Sequence, residues 1–149
     1  MIFIRYVILL VGLFYIALTD SKEKRIPNVN LLMLLAIRGI LLILECCVYR
    51  NDWKVVCIFV ISGLLWGATL FLLCYFIVPN AIGAGDVKLF AILGCYLGGE
   101  KVLMTAFLSV LYAAFYGIWL LVVGGNLESE VAFSPFVFLG TVTAIIWKI

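Results

Sequence analysis

Histidine does not occur anywhere in the chain. Its absence excludes Ser-His-Asp and Cys-His catalysis and removes the commonest transition-metal ligand. Cysteine is present at Cys46, Cys47, Cys57, Cys74 and Cys95, yet no two of these form a Cys-x-x-Cys pair or a zinc-ligand spacing. They read as apolar packing residues. Charge is scarce too: 12% of residues are charged and the net charge is +2, too small to attract nucleic acid or another polyanion. Any chemistry must therefore run on carboxylates, hydroxyls, thiols, amines or the backbone, and neither a metal nor a cofactor is expected.

Apolar side chains are what the chain has in excess. It is 67% hydrophobic with a mean hydropathy of +1.30, and 149 residues cannot hide that much apolar surface in a water-soluble fold. Six hydrophobic stretches, 2–19, 29–49, 55–78, 87–98, 102–123 and 131–147, are joined by short connections. Backbone in hydrocarbon must satisfy its own hydrogen bonds, so the stretches predict an all-α polytopic membrane bundle of about six transmembrane helices. Residues 1–149 are expected to form one integral-membrane domain with no room for a soluble accessory one. The first stretch carries Arg5 but no small-residue cleavage site, so it reads as a retained helix rather than a cleaved signal.

Some positions refine this expectation. The fourth stretch covers only about 18 Å at 1.5 Å per residue, which predicts a short helix buried among its neighbours. Gly63 with Gly67, and Gly94 with Gly98, are spaced to let the third and fourth helices approach closely. Arg38 lies in mid-helix and must face the bundle interior or snorkel, with Glu45 a candidate partner.

Two polar connections hold most of the remaining interest. The first reads Asp20-Ser21-Lys22-Glu23-Lys24-Arg25-Ile26-Pro27-Asn28, where the first helix is expected to end at Asp20 and Asn28 or Asn30 to cap the second. The second runs Pro79-Asn80-Ala81-Ile82-Gly83-Ala84-Gly85-Asp86, a flexible entry into the fourth helix. The chain leaves one membrane face after Asp20, crosses twice, and returns to the same face at Asp86. Parity thus puts both carboxylates at one face.

Two such carboxylates are the minimum apparatus of an aspartyl protease, one taking a proton from water while the other, protonated, donates to a carbonyl. Helix dipoles suggest that Asp20, at a C-terminal end, is the protonated partner and Asp86, at an N-terminal end, the anion. Gly83 and Gly85 are expected to allow positive φ and a close substrate approach. On spacing alone the alternatives stay open: Asp86 as a plain N-cap, Asp20 as an interfacial acid paired with Lys22 or Lys24. Lys88, one turn into the fourth helix, is a candidate contact for Asp20, a lipid phosphate or substrate.

The first connection resembles the signature of the prepilin peptidases, in which a helix-ending aspartate precedes a short basic loop and Ile-Pro-Asn. Gly83-Ala84-Gly85-Asp86-Val87-Lys88-Leu89 is similar to that family's second signature, Leu93-Gly94-Cys95-Tyr96-Leu97-Gly98 continues it, and Phe133-Ser134-Pro135-Phe136 resembles its Pro-Phe element near the last helix. The resemblance covers essentially the whole chain. It implies Asp20 and Asp86 as catalytic aspartates that cleave the leaders of prepilin-like proteins (pilins, pseudopilins, Flp-type pilins or preflagellins) at the cytoplasmic face of the cell membrane. Larger members carry a cytoplasmic region with two Cys-x-x-Cys pairs and a methyltransferase activity; this sequence has neither pair, so methylation is not expected. Ser134 stands where a glycine is commoner. The competing expectations are a non-catalytic membrane component of a secretion or pilus assembly system, which calls for acids in mid-helix, and a presenilin-like protease. The latter shares Gly-x-Gly-Asp but has a Tyr-Asp that is missing here. Lysines and arginines fall on both faces and do not set the orientation.

Overall fold

A computed structural model describes residues 2–24, 26–77, 83–123 and 131–147. Among these residues the chain forms six α-helices: α1 Ile2–Glu23, α2 Asn28–Val48, α3 Trp53–Ile77, α4 Ala84–Leu97, α5 Gly99–Val122 and α6 Ser134–Ile146. Each falls on one of the hydrophobic stretches. α1, α2, α3 and α5 are long and apolar enough to cross a bilayer, while α4 and α6, with 14 and 13 residues, reach about 20 Å. Large apolar side chains such as Phe3, Val11, Ile43, Ile58 and Val122 point outward. On a bundle bathed in lipid tails that exposure carries no penalty. The architecture is that of a multi-pass helical membrane protein.

The short helix α4 lies at the centre, touching α1, α2, α3 and α5. Its residues Leu89, Phe90, Leu93, Tyr96 and Leu97 are fully buried or nearly so. Association between helices in lipid depends on close packing, and the α3–α4 contact is the most extensive in the bundle. Gly63 and Gly94 make it possible: a Cβ on either would run into the backbone carbonyl of the other. Gly98 turns the chain from α4 into α5 at φ 81°, a conformation natural to glycine.

Arg38 faces inward, the first of the two arrangements open to it. Its Nε donates to the Cys95 carbonyl at 2.8 Å and its Nη2 to Glu45 Oε2 at 3.0 Å, while Arg5 reaches the other Glu45 oxygen at 3.5 Å. All three side chains are buried. This ion cluster ties α1, α2 and α4 together inside the apolar bundle.

The helix ends differ from expectation in three places. α1 runs past Asp20 to Glu23, so most of the predicted charged loop is helical, and the turn is made by Lys24 at φ 51°. Pro27, not Asn28 or Asn30, is the N-cap of α2; its locked φ of −64° starts the helix without a side-chain cap. α4 begins at Ala84, so Gly85 and Asp86 belong to its first turn, and the earlier part of that predicted connection, 79–82, lies outside the described residues.

Candidate active site

Asp20 and Asp86 come from opposite ends of their helices and arrive on one cavity of about 790 Å³. Asn28, Gly83, Gly85, Lys88, Phe71 and Phe133 also line it. All the residues marked in the sequence as site candidates therefore gather in one place, at the membrane face that holds the α1–α2 turn and the start of α4.

Asp20 is buried at 6% exposure, on the last inward-facing turn of α1. Its Oδ2 accepts a hydrogen bond from the backbone N–H of Ser134 at 3.2 Å. That N–H belongs to the first turn of α6, whose N-cap residue Phe133 supplies no side-chain acceptor. The aspartate of α1 thus caps α6 across the bundle, and the unpaired amides and dipole of α6 present positive partial charge to it. Lys22 and Lys24 are exposed, and among the described residues the ion pairs are those of Glu45, so the simple surface pairing considered for Asp20 does not occur.

Asp86 is the third residue of α4 rather than its N-cap, which is Gly83. Its carboxylate turns back to accept a hydrogen bond from the Gly83 backbone, the reciprocal half of a capping box. Gly83 has φ −70°, so no positive φ is used there. Its lack of a side chain matters for another reason: a Cβ would sit 3.2 Å from Asp86 Oδ2 and press on it. Gly85 likewise serves packing, since a Cβ there would lie 3.3 Å from the Cβ of Ile26. The Ile26-Pro27-Asn28 turn is thereby seated on the Gly83-Ala84-Gly85-Asp86 turn, and Lys88 Nζ donates to Asn28 Oδ1 at 3.2 Å to complete the clamp.

Burial, and then the neighbouring Asp20 charge, push Asp86 up from the ordinary carboxylate range to about 6, the hydrogen bond from Gly83 opposing the rise. The rise at Asp86 runs against the direction expected there from the helix dipole. Loss of water around Asp86 disfavours its charged form, and the α6 helix end that bonds Asp20 comes from a segment the linear sequence does not place there. Phe71 and Phe133 give the cavity lining an aromatic part, and behind it Phe71 stacks on Phe90 at 3.7 Å between centroids, with Phe133 at 6.3–6.4 Å from both. Sequence reasoning missed Phe71, Phe90 and the role of Ser134. The one usable signal was Ser134-Pro135, a helix start that requires an acceptor.

The sequence profile of the type IV leader peptidase family matches residues 7–118, which include both aspartates and both signatures around them. The chain belongs to that family. It is also similar to the prepilin leader peptidase/N-methyltransferase of Bacillus subtilis (strain 168), 28% identical over 139 residues that cover 91% of this chain and 52% of the relative. This type IV leader peptidase family member thus spans about half the length of that relative. No solved structure matches the chain.

Proposed function

We propose that the protein is an aspartyl endopeptidase that removes the leader peptides of prepilin-like proteins at the cytoplasmic face of the cell membrane, with Asp20 and Asp86 as its catalytic pair. The observation that carries the proposal is the convergence of these two carboxylates on one cavity, with Asp86 raised to about 6 beside Asp20. Like charges so placed share a proton, and a shared proton is what hydrolysis by two carboxylates requires. The family membership and the similarity to the Bacillus prepilin leader peptidase support the same substrate class.

The reaction follows from the two environments. Asp20, capping α6, is the carboxylate that takes a proton from water as the water oxygen bonds to the scissile carbonyl carbon. Asp86 gives its proton to the carbonyl oxygen, forming a neutral tetrahedral diol. As the carbon–nitrogen bond breaks, the departing amine takes the proton held by Asp20 and Asp86 recovers its own from the diol hydroxyl, leaving acid and amine. Phe71 and Phe133 offer an apolar surface to a hydrophobic leader helix, while Lys88 and Asn28 give polar contacts for substrate or lipid phosphate.

The test is co-expression with leader-bearing prepilin-like proteins of the same genome, followed by a mobility gel. Cleavage is expected with the native chain, and Asp20→Asn or Asp86→Asn should each lower the rate at least about a hundredfold while the protein stays inserted, since acid or base catalysis is typically worth 10² to 10⁴. Full processing by either variant would overturn the aspartyl mechanism and favour a non-catalytic role for the pair.

A further inference from the structure

The turn between α2 and α3 brings together two thiols. Cys46 sits two residues before the end of α2, and Cys57 is the fifth residue of α3. The chain reverses between them over residues 49–52, where the Tyr49 N–H donates to the Glu45 carbonyl at 2.8 Å and the Asp52 N–H to the Tyr49 carbonyl at 2.9 Å. Both thiols are free and half-buried, and they lie within hydrogen-bonding reach of one another. The other cysteines stand apart: Cys47 is exposed and about 100° around α2 from Cys46, Cys74 is near the far end of α3, and Cys95 donates to the Ala91 carbonyl at 3.4 Å within α4. Since α2 leaves the aspartate face at Asn28 and ends at the opposite one, the pair lies on the side away from Asp20 and Asp86. With the aspartates cytoplasmic, that side faces the extracytoplasmic space, where thiols are oxidised rather than kept reduced.

We propose that Cys46 and Cys57 are a redox site that closes to a disulfide on the extracytoplasmic side and staples α2 to α3. The side rests on the cytoplasmic placement of the aspartates; the pairing does not. The oxidant is the disulfide of a thiol–disulfide carrier. One thiolate of the pair attacks a carrier sulfur, and the carrier's other sulfur leaves as a thiolate. The second cysteine thiolate then attacks its partner's sulfur in the mixed disulfide and releases the carrier, which departs with two electrons and two protons as a dithiol. Residues 49–53 around the turn are exposed, which gives such a carrier access. Closure brings the two sulfurs to about 2.05 Å through rotation about the Cα–Cβ bonds of the cysteines. The link encloses a short loop and fixes the end of α2, where Glu45 holds Arg5 and Arg38.

The experiment traps the full chain with an alkylating maleimide in intact cells, purifies it in detergent and maps its peptides by mass. Cys46 and Cys57 are expected to be joined, while Cys47 and Cys74 carry the label. Reduced protein treated with oxidised glutathione should lose two of its five free thiols and unfold at higher denaturant concentration, and a reductant should reverse both changes. Cys46→Ser and Cys57→Ser should each abolish the link and the shift, and Cys47→Ser neither. All five thiols remaining free after glutathione treatment, or a link that runs through Cys47 or to a second chain, would overturn the inference. A pair that closes with glutathione yet is reduced in cells would overturn the extracytoplasmic assignment. If a serine variant fails to fold, the map of the native chain decides alone. The linkage is read by mass without any cleavage, so its failure is distinct from failure of the aspartyl mechanism, which Asp20→Asn and Asp86→Asn report.

Discussion

Asp86 is a carboxylic acid that keeps its proton well above the usual carboxylate range, and the two causes of that shift can be separated. Desolvation persists in any folded variant, whereas the Asp20 charge disappears in Asp20→Asn. We expect Asp86 to titrate below about 6 in Asp20→Asn, as read by carboxyl carbon-13 spectra. An unchanged value would mean that the two groups do not sense one another. The sign for activity follows: Asp86 must be protonated to donate, so kcat/KM of the native enzyme should fall as pH rises through about 6. Gly83→Ala places a methyl 3.2 Å from Asp86 Oδ2. The carboxylate must shift by a few tenths of an ångström, and we expect roughly three- to tenfold slower cleavage at unchanged protein abundance.

At the scale of helices, the site depends on α4 being carried on α3. Gly63 and Gly94 let the two backbones touch, and no rotamer change can relieve a side chain placed between them. Gly94→Val should separate the pair and destabilise the bundle by about 3 kcal/mol or more, seen as earlier unfolding in a detergent titration. Gly39, in α2, provides the contrast, since a Cβ there meets nothing among the described residues. Gly39→Ala should leave stability unchanged or raise it by about 0.5–1 kcal/mol through helix propensity. Equal effects at the two positions would show that close approach is not what the α3–α4 pair requires.

For the molecule as a whole, the face opposite the aspartates is braced by the buried Arg5–Glu45–Arg38 cluster. Removing Glu45 leaves two guanidinium groups buried in an apolar bundle without their carboxylate. Glu45→Ala is therefore expected to cost about 3–5 kcal/mol in stability, while its effect on rate per folded molecule stays small because the cluster is remote from the cavity. A sequence without histidine, and described residues that hold no group of three metal-binding side chains, also lead us to expect that cleavage survives EDTA. Loss of activity on chelation, restored by zinc, would contradict the two-carboxylate mechanism.

Composition alone determined that this is a helical membrane protein, because in lipid the backbone has no other way to pair its polar groups over stretches of this length. Order and parity put Asp20 and Asp86 at one face, and glycine spacing marked the α3–α4 contact. Arg38 had to turn inward or snorkel, and Glu45 was marked as its candidate partner. What remained hidden was everything set by elements distant in sequence. The N-terminus of α6 reaches Asp20 from 114 residues away, burial raises Asp86, and Gly85 makes room for Ile26. Local pattern reports which groups a helix end carries; which of two acids holds the proton depends on the water and charges that other helices remove or bring, and those are fixed only when the bundle closes.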